Sequence, residues 1–226
     1  MKLLALDTST VACSAALALG DAVMERHEVR PKEHTRLLVP MLRELLAEGG
    51  VAPADLDAVV LGNGPGSFIG LRIGASVAQG ICYAAGLKLV PVSSLAAVAA
   101  EALELGGAAR VVVAQDAHMN EVYLGTFRRG EDGLPVPESE AVLQPVAAIE
   151  ALPGGASADG RHAAGEGWRR YPELLALNEH RFAGILDVNW PRARYLLELG
   201  RRACQAGAAI EPAALVPEYV RQRVAA

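Results

Sequence analysis

The residues best suited to chemistry come early in the chain. Asp7-Thr8-Ser9-Thr10 sets one carboxylate and three hydroxyls at the end of the apolar run Lys2–Leu6. In a phosphate-binding hairpin, hydroxyls and backbone amides hold the phosphate while the aspartate orients a metal ion or water. These four are therefore the candidate nucleotide- or phosphate-binding residues. A second stretch, Gly64-Pro65-Gly66-Ser67-Phe68-Ile69-Gly70-Leu71-Arg72-Ile73-Gly74, joins the apolar run Ala58–Leu61 to a helix almost free of charge as far as Tyr83. Free backbone N–H groups at that helix start suit an anion. The same glycines would equally let strand and helix pack closely, and the residues leave both readings open. Pro65, Gly66, Ser67 and Phe68 read as a structural turn, with Ser67 as the helix cap.

Other chemistries find less support. Gln115-Asp116-Ala117-His118 repeats the strand-then-aspartate arrangement, but lacks the glycine and hydroxyls of a second phosphate loop. His118 there reads as a surface histidine. His27, His34, His118, His162 and His180 contain no i, i+4 pair and no HExxH, so no metal site is expected. No GxSxG occurs, so no activated serine is expected either.

The elements that must position these residues follow from periodicity. Lys2–Leu6, Ala12–Leu19 and Ala22–Val29 read as strands, with Gly20-Asp21 supplying a two-residue type II′ turn between the last two. A helix from about Glu33 to Glu48 is closed by Gly49-Gly50. The Ala58–Leu61 strand, the glycine-rich turn and helix, a strand at Leu87–Val92 and a helix from Ser94 to Leu105 complete a β-β-β-α-β-α-β-α unit. After Gly106-Gly107 the pattern restarts with strands at Arg110–Ala114, Glu121–Phe127 and Val136–Leu143. Weaker helix, strand and helix signals occupy Ala147–Leu177, and Gly130–Pro137 and Gly154–Gly165 are loop-like. A longer helix, Trp190–Ala206, is capped by Asn189 with Pro191 just inside it. The reading is α/β, two lobes spanning 1–106 and 107–226, with the C-terminal segment a candidate to pack back on the first lobe.

Two helices offer more apolar surface than a fold needs. With 3.6 residues per turn and Leu37 at the origin, Met41, Leu45, Leu38, Leu42, Leu46 and Val39 fall at about 40°, 80°, 100°, 140°, 180° and 200°. A stripe of about 100° suffices to dock on a sheet. On the next helix Gly70, Gly74 and Ala78 recur every four residues and leave a shallow groove. The excess is covered either by the chain itself or by a partner. The partner reading assigns an interface to Leu37, Leu38, Met41, Leu42, Leu45, Gly70, Arg72, Ile73, Gly74, Val77 and Ala78. Arg72 and Lys88 bracket a stretch shorter than the roughly 20 apolar residues a membrane span requires, so a soluble packing helix is expected.

Composition bounds the function. A chain of 226 residues with formal charge −5 has length for a large core and argues against an extensive nucleic-acid surface. Cys13, Cys82 and Cys204 are odd in number and lack a CxxC, which suits a reducing compartment. No basic-then-apolar leader opens the chain, so a cytoplasmic location is expected.

Leu6-Asp7-Thr8-Ser9-Thr10, the Pro65–Gly74 stretch, Glu121-Val122-Tyr123, Gly165-Glu166-Gly167-Trp168 and Pro217-Glu218-Tyr219-Val220-Arg221 occur here in order. Together they resemble the bacterial TsaB (YeaZ) family, the smaller relatives of TsaD in making threonylcarbamoyladenosine on tRNA. Family members carry Thr where this chain has Ile69, and Asp-Ala-Arg where it has Asp116-Ala117-His118. Those departures bear on a nucleotide role more than on membership. The resemblance implies two RNase H-like lobes of the actin-like ATPase (ASKHA) fold, each a mixed β-sheet flanked by helices. It also implies that the HxxxH metal site of TsaD-like proteins falls here on Ser94 and Val98. The chain is then a non-catalytic subunit that binds and activates a TsaD-like catalytic subunit, largely through its first two helices. Through that subunit it meets a TsaE-type ATPase and, indirectly, tRNA. The resemblance further implies that the same surface can close a homodimer when the chain is alone and that the chain requires no cofactor itself, although ATP and Mg²⁺ can enter the complex. An ATP-dependent kinase or ATPase of the same superfamily is the alternative, and a glycoprotease-like peptidase the least favoured reading.

Overall fold

Alternation of short apolar runs and tight turns builds the first sheet. The computed structural model describes residues 1–149, 160–218 and 220; residues 154–159 of the expected loop, and Tyr219 and Arg221, lie outside them. Strands β1 (Lys2–Asp7), β2 (Ala12–Leu19) and β3 (Ala22–Val29) form an antiparallel meander. Gly20 adopts φ +65° in the two-residue turn, a conformation that favours glycine. Helix α1 (His34–Glu48) follows, with Gly50 at φ +64° just past its end. Strand β4 (Ala58–Gly62), helix α2 (Phe68–Ala85), strand β5 (Lys88–Val92) and helix α3 (Ser94–Gly106) come next. β4 and β5 add in parallel on the other side of β1, so the order is β3-β2-β1-β4-β5.

The second sheet repeats this plan. Strands β6 (Arg110–Asp116), β7 (Glu121–Arg129), β8 (Pro135–Pro137), β9 (Val142–Pro145) and β10 (Arg161–Ala164) precede the short helices α4 (Gly167–Arg170) and α5 (Pro172–Asn178). Strand β11 (Gly184–Ile185) and helix α6 (Ala193–Gln205) complete the fold. The order β11-β10-β6-β7-β8 mirrors the first sheet strand for strand, antiparallel on one side of β6 and parallel on the other. β9 adds a second pairing to β7, so the single strand expected over Val136–Leu143 is two short ones. Trp168, fully buried, anchors this lobe's core edge-on to Phe182 and donates its indole N–H to the Val112 carbonyl at 3.2 Å.

The chain divides into two compact units, and the division differs from a cut at Gly106-Gly107. The first unit comprises Met1–Ala97 and Pro191–Glu218; the second takes Val98–Trp190. α6 follows β11 in sequence yet packs on the first sheet, its Ala193, Leu196 and Leu197 joining Leu3, Ala5, Val60 and Val90. The helix begins at Ala193 rather than at the expected Asn189-Pro191 cap. Its first N–H is taken by the hydroxyl of Ser14 on β2, at 2.9 Å, a partner 179 residues away that local sequence cannot reveal.

α1 shows how its wide apolar arc is divided. Leu38, Met41, Leu42 and Leu45, the central part of the arc, are buried in the core with Leu4, Leu6, Leu17 and Val59. Leu37 and Leu46 on the flanks are half-buried, and Val39 is 44% exposed. Leu45→Ala should therefore cost about 2–5 kcal/mol in denaturant unfolding. Val39→Ala on the same helix should stay within about 0.5 kcal/mol of wild type.

Candidate functional site

The parallel strands β1, β4 and β5 end side by side, and their C-terminal ends bring together Asp7, Gly62 and, two residues beyond β5, Ser94. Crevices at such strand ends are where open α/β sheets bind ligands. Here the crevice is filled by the chain itself. Asp7 Oδ1 accepts from the Ser9 backbone N–H at 2.8 Å and from Ser9 Oγ at 2.7 Å. Asp7 Oδ2 accepts from Ser94 Oγ at 2.6 Å. Ser94 Oγ in turn accepts from the Gly64 N–H at 3.2 Å, while Ser94 N–H donates to the Gly64 carbonyl at 2.7 Å.

The glycine-rich turn closes over this carboxylate. A Cβ on Gly62 would stand 1.8 Å from Asp7 Oδ2, one on Gly66 2.4 Å from the Ser9 carbonyl, and one on Gly70 2.0 Å from the Thr8 carbonyl. Ser67 N–H donates to the Ser9 carbonyl at 2.7 Å, and Ser67 Oγ caps Gly70 N–H at 3.4 Å. Thr8 Oγ1 donates to the Gly70 carbonyl at 2.7 Å. Gly66 packs against Ser9 and Ser67 caps the helix, and close approach is what Gly62, Gly66 and Gly70 serve.

Asp7, Thr8 and Ser9 are buried, their side chains committed to each other, to Ser94 or to the glycine-rich turn. Thr10 keeps partial exposure and accepts from Ala12 N–H at 3.2 Å. As placed, the carboxylate and the first two hydroxyls do not fit a phosphate or Mg²⁺. Asp7's second oxygen could not reach a ligand without Gly62 and Ser94 giving way. Ser94 is the partner that sequence reasoning missed, together with Gly62 and the buried His34, whose Nε2 lies 2.8 Å from the Thr10 carbonyl. The signal for Ser94 was available in part: a hydroxyl just after the strand expected at Leu87–Val92.

The expected interface residues separate into two groups. Leu38, Met41, Leu42 and Leu45 are core, and the small-residue face Gly70-Gly74-Ala78 is turned inward as well. A Cβ on Gly74 would stand 2.6 Å from Thr8 Oγ1. That face is glycine so that α2 can lie against β1 and β4, not so that a partner can approach it. Leu37, Ile73 and Val77 keep partial exposure, and Arg72 is exposed, its guanidinium 3.7 Å over the Phe68 ring. Beside them Ile69 is 69% and Tyr83 88% exposed. Val39, Ala52, Pro53, Val77, Gly80 and Ile81 line an open groove of about 580 Å³ between α1 and α2. α2 is the one described helix long and apolar enough to cross a membrane by length and composition; its buried face lies in the core of the first unit.

In the second unit the corresponding aspartate is also engaged. Asp116 Oδ1 accepts from His118 N–H at 2.8 Å and from Tyr171 OH at 2.7 Å, and His118 Nδ1 lies 3.2 Å from Oδ2. Burial, then Asp116, pushes the Tyr171 phenol up to about 12. His118, Met119 and Asn120 all take positive φ, so this carboxylate holds a left-handed turn. Burial raises the nearby Glu166 carboxyl, which accepts from Trp190 Nε1 at 2.8 Å. Among the described residues no group of three His, Cys, Asp or Glu side chains is placed to hold a metal ion.

Comparison with known proteins follows the geometry. Residues 27–186 match the family described as "TsaD: tRNA N6-adenosine threonylcarbamoyltransferase". The chain is 37% identical to the Haemophilus influenzae tRNA threonylcarbamoyladenosine biosynthesis protein TsaB, covering 99% of this chain and 95% of the relative. It is 35% identical to the Escherichia coli protein of the same name, covering 100% and 96%. The solved structure of YeaZ from Pseudomonas aeruginosa superposes with TM-score 0.87 at 36% identity, covering 96% of this chain and 99% of that one. The two mixed sheets flanked by helices are therefore the RNase H-like lobes of the actin-like fold.

Burial raises the Asp7 carboxyl from 3.8 to about 6, against the opposing effect of its hydrogen bonds from Ser94 and Ser9. The ionisable groups facing it are His34 and Cys13, whose thiol burial pushes up to about 12. A raised carboxyl means the folded state holds its proton to higher pH than the unfolded chain. Stability is then greatest below the unfolded value and falls as pH rises through about 6, by about 3 kcal/mol in all. Urea unfolding from pH 4 to 8 should show this decline, and Asp7→Asn should flatten it.

Proposed function

The chain belongs to the TsaB (YeaZ) family, and from that premise we propose that it acts in tRNA threonylcarbamoyladenosine biosynthesis as a non-catalytic subunit. Its task is to bind and activate a TsaD-like catalytic subunit in the cytoplasm. A TsaE-type ATPase and tRNA are reached through that subunit, and the same surface closes a homodimer when the subunit is absent.

The outward face of α2 carries this reading. Over 18 residues the helix has a single charge, Arg72, and turns Phe68, Ile69, Ser76, Gly80, Tyr83 and Ala84 away from the core. A helix lying on a sheet needs one apolar stripe, with polar residues opposite. α2 has small and apolar residues on both sides, and the groove shared with α1 continues that surface. Exposed apolar patches of this kind mark interaction sites.

The positions where the resemblance puts the catalytic subunit's two histidines support the non-catalytic role. Ser94 holds Asp7, and Val98 is fully buried. Neither presents a ligand to a metal. Without histidines there, the reactive centre has to come from the partner.

Gly80→Arg tests the docking face, since a Cβ at Gly80 meets nothing within 4 Å. Unfolding free energy should stay within about 0.5 kcal/mol of wild type, while co-purification with the TsaD-like subunit is lost, because charge in a desolvated contact costs several kcal/mol. Binding of Gly80→Arg at wild-type strength would remove the interface. Leu38→Arg and Gly74→Arg are core changes and should unfold the chain. With wild type, tRNA modification should require the TsaD-like subunit, the ATPase partner and a threonylcarbamoyl donor, none of which this chain replaces.

A further inference from the structure

We propose that Asp7 is the positioning residue for the docking helix: acting through Ser94 and Ser9, it sets the first turn of α2 and hence the attitude of the surface presented to the partner. The inference rests on the docking reading above and assigns a role inside it to a carboxylate that a phosphate loop would have turned outward.

Two routes lead from this carboxylate to α2. On one side Ser94 Oγ bridges Asp7 Oδ2, at 2.6 Å, to the Gly64 N–H, at 3.2 Å, and so fixes the start of the glycine-rich turn. On the other, Asp7 Oδ1 holds both the N–H and the hydroxyl of Ser9. The Ser9 carbonyl then takes Ser67 N–H at 2.7 Å, and Ser67 Oγ caps the helix at Gly70. Thr8, next to Asp7, adds a third tie through Gly70's carbonyl at 2.7 Å. Both ends of the segment Gly64–Gly70 therefore depend on Asp7 and its neighbours. Phe68, Ile69 and Arg72, the outward residues of the first turn, ride on that segment.

A core-filling role alone does not call for a carboxylate. An apolar side chain of similar volume would avoid the cost of burying a charge, and burial does raise this carboxyl well above its usual range. What an apolar residue cannot supply is two acceptor oxygens facing different donors. The chemistry that matters is therefore hydrogen-bond geometry rather than charge. Asparagine, with its Oδ1 toward Ser9, keeps the acceptor on that side but turns an Nδ2 donor toward Ser94 Oγ, so it preserves one of the two routes.

The test uses the full-length chain and the TsaD-like subunit of the same organism. Asp7→Ala should speed hydrogen exchange of the Ser67–Leu71 amides by about tenfold or more, while β2 and α6 keep wild-type protection. In calorimetry, affinity for the TsaD-like subunit should fall by about tenfold, or about 1.4 kcal/mol. Asp7→Asn, which keeps only the Ser9 side, should fall between wild type and Asp7→Ala in both. Should Asp7→Ala lack a cooperative unfolding transition, Ser94→Ala, which keeps the Asp7–Ser9 bonds, carries the same two readouts. Wild-type exchange at Ser67–Leu71 in the alanine variant, or an asparagine variant as weak as alanine, overturns the assignment. Loss of binding in Gly80→Arg but not in Asp7→Ala overturns the positioning role and leaves the docking face standing. Wild-type binding by Gly80→Arg overturns the docking face and the positioning role with it, even if Asp7→Ala loosens α2.

Discussion

A carboxylate taken out of water needs donors, and the first lobe is arranged around supplying them to Asp7. Ser9 gives two and Ser94 one. Even so, desolvation outweighs them and pushes the carboxyl up to about 6. Meeting that demand ties the ends of β1, β4 and β5 to one point. It also dictates the glycines: with Asp7 Oδ2 where it is, no side chain fits at Gly62, and with Ser9 and Thr8 held beside it none fits at Gly66 or Gly70. The glycine-rich turn and the short polar hairpin are two halves of one contact.

That contact decides which face of α2 is inside. A helix with Gly70, Gly74 and Ala78 in line can present its small face to another helix or to its own sheet. Here the sheet takes it, because only glycine lets the helix come within reach of Thr8 and Ser9. The larger side chains, Ile69, Ile73, Val77 and Tyr83, are then left on or near the surface. α1 follows the same rule. Its buried stripe, Leu38, Met41, Leu42 and Leu45, has about the width one sheet contact requires. The remaining apolar edge, Leu37, Leu46 and Val39, lies outside that stripe. The apolar surface left outside is thus made of what the core did not use.

Much of this was legible from the chain alone, because local chemistry dictates it. The strand runs, the Gly20-Asp21 turn, the Gly49-Gly50 helix end and the Ser67 cap all rest on residues within a few positions of one another. The restart of the strand pattern after Gly106-Gly107 was legible for the same reason. What could not be read depends on distant partners. Ser14 caps α6 from 179 residues away, and Ser94 meets Asp7 across 87. The C-terminal segment was a candidate to pack back on the first lobe, but which residues of α6 do so, and against which strands, is tertiary packing that no periodicity encodes. The direction of the small-residue face failed for a subtler reason: period four shows that a face is narrow, but not what it is narrow for.

The two lobes show one topology serving two ends. Each places an aspartate at the end of its first strand, Asp7 and Asp116, and each satisfies that carboxylate from within its own lobe. In both, glycine lets the following strand-to-helix turn come close. A Cβ on Gly165 would stand 2.1 Å from the Ala114 carbonyl, and one on Gly167 2.9 Å from it. The difference lies in what the carboxylate holds. Asp7 is sealed beneath a long helix and acts on that helix's first turn. Asp116, held by Tyr171 and His118, steadies an exposed left-handed turn instead. A strand-end carboxylate that in a phosphate-binding relative would face a ligand can therefore be kept by the fold for its donors alone. Its purpose is then set by whichever segment those donors belong to.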